Sequence, residues 1–301
     1  MIKDDYNQMR YDEIVDSYVI DVKEKKKRSQ VTSIIFGVIT VIVSFVLLIG
    51  LYIGSYVGLF KYAQYVHHNG NTQQAIKIFS GMLGKYPHMK GFILFGRGDY
   101  YRILGKHKLA IRDLKKSLEI RKKEGYSKMG DTLEIYLYLY ELYKKIDKEK
   151  IAKKYATEGI NYGEKWIPEI TDSDIKDGIY NNVAILYRKK QAFKKAIEYY
   201  TKAINLNNNY YGAYFNRSLV YRDIGKIDKA LEDLNKCIMI DEKHNMAYYY
   251  KAYTFYEQNK YKEALKVIKK YRKVVGEVKD ENIKKLEKII KEEKANESKE
   301  K

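Results

Sequence analysis

YGAYFNRSLVYRDIGKIDKALEDLNKCIMIDEKH, residues 211–244, is one copy of a unit that the chain uses again and again. Ser218 is small, Tyr221 three positions on is large, Ala230 is small and Leu234 four positions on is large. The alanine recurs as Ala75, Ala110, Ala152, Ala196, Ala230 and Ala264, at intervals of 35, 42, 44, 34 and 34 residues. Upstream of it stands a mostly small residue, Ala63, Gly98, Ala184, Ser218 or Ala252, and then a large one, Val66, Tyr101, Tyr143, Tyr187, Tyr221 or Phe255. After it comes another packing residue, Phe79, Leu114, Ala156, Tyr200, Leu234 or Ile268. Spacings of three and four put these side chains on one face of a helix. Small residues at two fixed points let paired helices approach closely, and the neighbouring aromatics fill the groove that remains. One such hairpin cannot bury its apolar face alone, so copies must stack.

A 34-residue period with this pattern resembles the tetratricopeptide repeat, a helix-turn-helix unit that stacks into a solenoid. Copies fall at 56–89, 91–124, 133–166, 177–210, 211–244 and 245–278, so the resemblance covers 56–278. The 211–244 copy also holds Ala213, Tyr214, Gly225 and Cys237 at the family's spacing, and the first copy has Pro87 where the family often places proline. The third copy departs from the pattern: Tyr140 stands at a small-residue position and Gly159 replaces the late alanine. Arg121–Gly130 and Glu164–Lys176 are insertions that lengthen helices or loops.

The resemblance implies an all-α fold, a right-handed α-solenoid of six repeats, whose usual work is binding other proteins. In this family the first helix of each hairpin lines the concave surface. Its twelfth position here is Arg102, Lys144, Arg188 and Arg222, flanked by His67 and Tyr256, with Tyr249, Tyr253, Phe215 and Phe95 adding apolar area. The register therefore predicts a basic groove for an acidic or extended peptide segment. Asn182 and Asn216 match the asparagine of the family's carboxylate-clamp members, but the accompanying lysines are elsewhere, so chaperone C-terminus binding is not expected.

Ahead of the repeats, Val31–Phe60 contains no charged residue. About 20 apolar residues cross a bilayer core, and a cleaved signal peptide has a shorter apolar region. The reading is a signal-anchor helix over 31–57 after a tail at 1–30. Lys23, Lys25, Lys26, Lys27 and Arg28 before the span, against Lys61 and Lys77 after it, place the N-terminus in the cytoplasm and the repeats outside it. Tyr52, Tyr56, Tyr62 and Tyr65 fit an interfacial belt on the outer side. Gly50, Gly54 and Gly58 form a small-residue row suited to packing against a partner helix or a second copy.

The formal charge of +19 falls entirely on residues 61–301, because 1–30 is balanced and 31–60 is uncharged. Such a surface favours anionic partners. No nucleic-acid fold signature accompanies it, and nucleic acid is not an expected partner. A single cysteine, Cys237, excludes an intrachain disulfide and occupies a packing slot. The five histidines, His67, His68, His88, His107 and His244, lack metal-ligand spacing. Arg97-Gly98-Asp99 reads as helix, not as a loop-presented adhesion motif, and Asp172, Asp174 and Asp177 lack a calcium loop's glycine and distal glutamate. With no phosphate loop, nucleophile elbow or Ser/His/Asp grouping, neither an enzyme nor a cofactor is expected. Ile283, Leu286, Ile289 and Ile290 make an amphipathic capping helix within 279–301, ending in a tail, 292–301, too polar to pack. The expected function is a membrane-anchored scaffold or adaptor in a cell-envelope complex. A secretion or envelope-assembly accessory factor, or a binder of an anionic or carbohydrate polymer, are the other readings.

Overall fold

The computed structural model describes residues 54–124, 129–277 and 280–297, with positions 35, 38, 39, 41, 42, 44, 46 and 52 ahead of them. The tail 1–30, most of the 31–57 segment including Gly50, and 298–301 lie outside the described residues. The chain divides into two compact units, 1–78 and 79–301.

In the first unit α1 covers 54–68. It turns at Gly70 into α2 (Thr72–Lys85), whose first half belongs to this unit. Ala63, Val66, Ala75 and Ile76 are buried here. Ahead of α1 every described position is helical. Among the described residues no helix is long and apolar enough to cross a membrane. Gly54 and Gly58 are exposed, and among the described residues nothing beyond their own helix backbone lies within 4 Å of where their Cβ atoms would be.

The second unit is all helix among its described residues. After the rest of α2 come α3 (Lys90–Ile103), α4 (His107–Glu124), α5 (Met129–Lys145), α6 (Glu149–Trp166), α7 (Ser173–Lys189) and α8 (Phe193–Leu206). Then follow α9 (Tyr211–Asp223), α10 (Ile227–Ile240), α11 (Asn245–Glu257), α12 (Tyr261–Val275) and α13 (Glu281–Glu297). Pro87–Met89 and Ile167–Glu169 are single 3-10 turns. Consecutive helices pair as α3/α4, α5/α6, α7/α8, α9/α10 and α11/α12, and each pair packs on the next. First helices also touch one another, α3 with α5, α5 with α7, α7 with α9 and α11 with α13. The two insertions are absorbed largely as helix: α4 and α6 each run for 18 residues.

The repeated residues do the same job in each copy. All six recurring alanines are fully buried, as are Ala63, Gly98, Ala184, Ser218 and Ala252. Between the paired helices the chain reverses through one residue of positive φ, at Gly70, Gly105, Asp147, Gln191, Gly225 and Asn259. Each lies five residues before its alanine. In every turn the next residue's N–H reaches back five positions to the large residue's carbonyl, as Lys106 N–H to Tyr101 O and Lys226 N–H to Tyr221 O, both 2.8 Å. This left-handed closure satisfies carbonyls that the helix end would otherwise leave bare.

The third copy pairs its helices despite its departures from the pattern. Tyr140 is buried at the small-residue position, and its hydroxyl donates to Lys189 O at 3.3 Å. On the partner helix, a Cβ on Gly159 would sit 2.9 Å from Tyr136 Cβ, one turn before Tyr140 on α5, and 2.8 Å from Leu186 Cδ1 on α7. Gly163 is pressed in the same way against Val183. Bulk on the first helix is thus balanced by glycine on the second.

At the C-terminal end Ile283, Leu286 and Ile290 bury against the last pair, as the capping reading requires. Ile289 does not; it is exposed, about 100° round α13 from Ile290 and on the far side of Leu286 from it. The expected unstructured tail begins later than 292, since α13 continues to Glu297.

Candidate functional site

The face formed by the first helices carries the predicted row, but its cations are not free. Arg188 Nε donates to Asp223 at 2.9 Å, and Arg222 Nη2 donates to Glu257 at 2.7 Å. Both partners lie 35 residues downstream, on the next first helix, so each arginine links its own repeat to its successor. Arg102 pairs instead with Asp99 one turn back at 2.6 Å and lies 4.3 Å over the Tyr138 ring, which itself stacks on Phe95. Burial pushes the Tyr138 hydroxyl up to about 12. Lys144 alone is exposed, with no ion pair among the described residues. His67 belongs to the first unit, where its Nδ1 meets Thr72 Oγ1 at 3.0 Å. The spacing that revealed the row gave no sign of the carboxylates, because Asp223 and Glu257 sit at the thirteenth position and matter only once neighbouring copies are stacked.

Other polar links run along the same face. Asn216 Nδ2 donates to the buried Asn181 at 3.0 Å, and Asn245 Nδ2 donates to Asp280 at 2.6 Å. The first joins Asn216, one of the two asparagines that the register matches, to the neighbour of the other, Asn182.

The aromatic residues are brought together. On α11 the Tyr249 and Tyr253 rings lie 5.9 Å apart and nearly parallel, at 8°. Tyr253 continues to Tyr256 at 6.0 Å, and Tyr256 to Tyr261 at 6.0 Å. Arg222 stands 5.2 Å over both Tyr250 and Tyr253. From α9, Phe215 meets Tyr250 at 5.6 Å and His244 at 5.0 Å. Tyr249, Tyr253 and Tyr256 are all half-buried, so one side of each remains accessible. Burial, then Tyr250, raises the Tyr249 hydroxyl above the ordinary tyrosine range. The result is a strip of flat, rigid apolar surface edged by paired charges.

The remaining motif candidates resolve as packing. Arg97-Gly98-Asp99 lies within α3; Gly98 backs onto Leu114, Arg97 binds Asp113 at 2.6 Å and Asp99 binds Arg102. Cys237 is buried, and burial pushes its thiol up to about 12. Among the described residues no three His, Cys, Asp or Glu side chains are grouped to hold a metal ion.

With this geometry established, comparison with known proteins becomes informative. Residues 93–124, 178–210 and 211–244 match the family model for the tetratricopeptide repeat. The chain carries tetratricopeptide repeats. Their helices are α3/α4, α7/α8 and α9/α10. Among solved structures, a chain of the APC/C hetero-tetramer Cut9-Hcn1 is similar with a TM-score of 0.55 and 16% identity, covering 78% of this chain and 42% of that one. This chain therefore spans less than half the length of that relative. PilW, a widely conserved type IV pilus biogenesis factor, is similar with a TM-score of 0.55 and 14% identity, covering 76% of this chain and 96% of its own. At such identities the likeness is one of fold. Comparison with curated protein sequences finds no significant match.

Proposed function

We propose that the chain is a single-span membrane scaffold whose first-helix face grips an extended segment of a partner protein. The observation that carries this reading is the tyrosine strip Tyr249–Tyr253–Tyr256 with Arg222 beside it. Aromatic and arginine side chains supply contact area with little loss of conformational freedom, and they dominate binding energy at protein interfaces. The charges on this face are mostly paired internally, so recognition rests on apolar contact and backbone hydrogen bonding more than on the acidity of the partner.

Anchoring rests on the segment before the repeats. Ile35, Val38, Ile39, Val41, Ile42 and Val46 are helical and each more than half exposed, an arrangement that water penalises and lipid does not. The basic cluster at 23–28 orients the span with the repeats outside the cytoplasm. The function is thus that of an adaptor in a cell-envelope complex. A secretion or assembly accessory role is one form of the same activity, and packing through Gly54 and Gly58 is the route by which two copies would associate.

Photo-crosslinking tests the grip. A benzophenone amino acid placed at Tyr253 in native membranes should give a discrete adduct with one partner, while the same probe at Lys262 should not. Equal labelling at both positions would remove the face from the reading. A reporter fused after Lys301 that works only in the cytoplasm would overturn the orientation.

A further inference from the structure

In two repeats, those of α3/α4 and α9/α10, an arginine of the first helix pairs with an aspartate sixteen residues on, and the last repeat keeps a cation at the first position without the aspartate at the second. Arg97 on α3 pairs with Asp113, sixteen residues on, and also donates to Ser80 on the preceding second helix at 3.1 Å. Arg217 on α9 does likewise: it binds Asp233, sixteen residues on, with two bonds of 2.8 Å, and Thr201, sixteen back, at 2.9 Å. Lys251 on α11 occupies the same repeat position. It keeps the backward bond, to Asn235 Oδ1 at 2.6 Å and sixteen residues back. Sixteen residues forward stands Val267, which offers no carboxylate.

A cleft of ≈ 960 Å³ opens where that carboxylate would be, between α10 and α12 over α11. Val267 and the fully buried ring of Tyr248 are in its wall, and the Tyr248 hydroxyl finds no partner. Lys266, Lys269, Lys270 and Lys273 surround it, and none makes an ion pair among the described residues. Glu242 and Glu263 are the acidic residues at its edge, so lysines outnumber carboxylates by five to two. Burial first, and then Lys270, holds the Lys251 ammonium below the ordinary lysine range, which is the mark of a cation short of a counter-charge. A hollow of ≈ 380 Å³ shares Lys269 and Lys273 and continues the basic surface across α12 to α13.

This is a different site from the tyrosine strip. At about 100° per residue, Tyr248, Lys251 and Phe255 lie about 130° around α11 from Tyr249, Tyr253 and Tyr256. We infer that the α10–α11–α12 cleft binds an acidic peptide segment, one of whose carboxylates takes the place of the missing aspartate beside Lys251 while an apolar side chain rests on Val267 and Tyr248. The sunken apolar wall fits a protruding side chain and not a flat bilayer surface. The volume suits a few residues, within the range of pockets that take small ligands. The site goes beyond the proposed scaffold role and stands if the tyrosine strip proves idle.

The variant Val267→Asp supplies the aspartate from within. In the full chain held in zwitterionic nanodiscs, a fluorescein-labelled decapeptide of alternating Glu and Leu should bind the wild type, and a Gln/Leu peptide should bind far more weakly. Val267→Asp should lower affinity for the Glu/Leu peptide by about tenfold or more, since a charge-assisted hydrogen bond is lost, while helix content and melting temperature hold or rise. Lys270→Glu, on the rim, should weaken binding without filling the cleft, and Lys115→Gln, exposed on α4, should leave it unchanged. Equal binding by Val267→Asp and Lys270→Glu would overturn the inference. So would displacement of the peptide by polyuridylic acid or dihexanoyl phosphatidylserine at lower concentration than by unlabelled peptide, which would assign the cleft to another class of ligand.

Discussion

Replacing Gly159 by alanine adds one methyl group at a crossing where α6 meets both α5 and α7 closely. That methyl would lie 2.8 Å from Leu186 Cδ1, 2.9 Å from Tyr136 Cβ and 3.0 Å from Tyr136 Cγ. Carbon atoms pack comfortably at about 3.5–4.0 Å, so the helices must part by several tenths of an ångström. Leu186 can swing its terminal methyl, but Tyr136 Cβ is fixed to its backbone and the ring is fully buried. Overpacking of this kind costs about 1–3 kcal/mol. Alanine is the better helix former by about 1 kcal/mol, which leaves a net loss of up to about 2 kcal/mol. Gly81 on α2 is the control, because nothing lies within 4 Å of its Cβ position and it is exposed. Gly81→Ala should gain about 0.5–1 kcal/mol. Trp166, the single tryptophan, closes α6 and packs against the surrounding core, so its fluorescence reports on this pair directly. In thermal unfolding, Gly159→Ala should lower the midpoint by up to about 8 °C and Gly81→Ala should raise it. A Gly159→Ala protein stabilised as much as Gly81→Ala would refute the argument that glycine on α6 makes room for bulk on α5 and α7.

The inter-helix turns predict opposite signs for two exchanges: Gly225→Ala should lose about 1 kcal/mol and Gln191→Gly should not, because both hold a left-handed backbone that only glycine adopts without strain; urea midpoints decide it. Cys237 should resist iodoacetamide in the folded chain at pH 8 and react on unfolding, since burial raises its thiol; rapid native labelling would contradict its packing role. His244 caps α11 by accepting from Ala247 N–H at 3.0 Å through Nδ1, and burial holds its imidazole below the usual range. The unfolded chain therefore takes up a proton first, so the stability that neutral His244 contributes is full above about pH 6.5 and falls as pH drops through it. His244→Asn, which keeps a capping acceptor, should remove that slope in melts between pH 7.5 and 5.5; an unchanged slope would assign it to other groups.

The repeat architecture was legible because it rests on side-chain size at fixed spacing. Ala230 with Ser218, or Ala196 with Ala184, needs no knowledge of the rest of the chain to signal a close helix crossing. Tyr140 was misleading for the opposite reason. Its hydroxyl finds Lys189 O, and its helix meets Gly159 through Tyr136, only after folding. The left-handed turns at Asp147, Gln191 and Asn259 were hidden because none is glycine, although they stand in register with Gly105 and Gly225. The carboxylates beside the charged row were out of reach, because which one faces an arginine is set by the stacking of adjacent copies. The aspartate missing at Val267 was equally out of reach, because its absence is visible only beside the completed Arg97–Asp113 and Arg217–Asp233 pairs.

The central functional claim is that the first-helix face holds its partner through tyrosines while its arginines hold the repeats to one another. The direct measurement is the affinity for the crosslinked partner segment in two double variants. Tyr249→Ala/Tyr253→Ala should weaken binding about thirtyfold or more, as befits a buried aromatic anchor. Arg102→Gln/Arg188→Gln should weaken it by less than about fivefold, the range of exposed ion pairs, and should lower stability as well through the lost Arg188–Asp223 link. If the arginine variant loses binding and the tyrosine variant keeps it, the face is an electrostatic groove and the account is wrong.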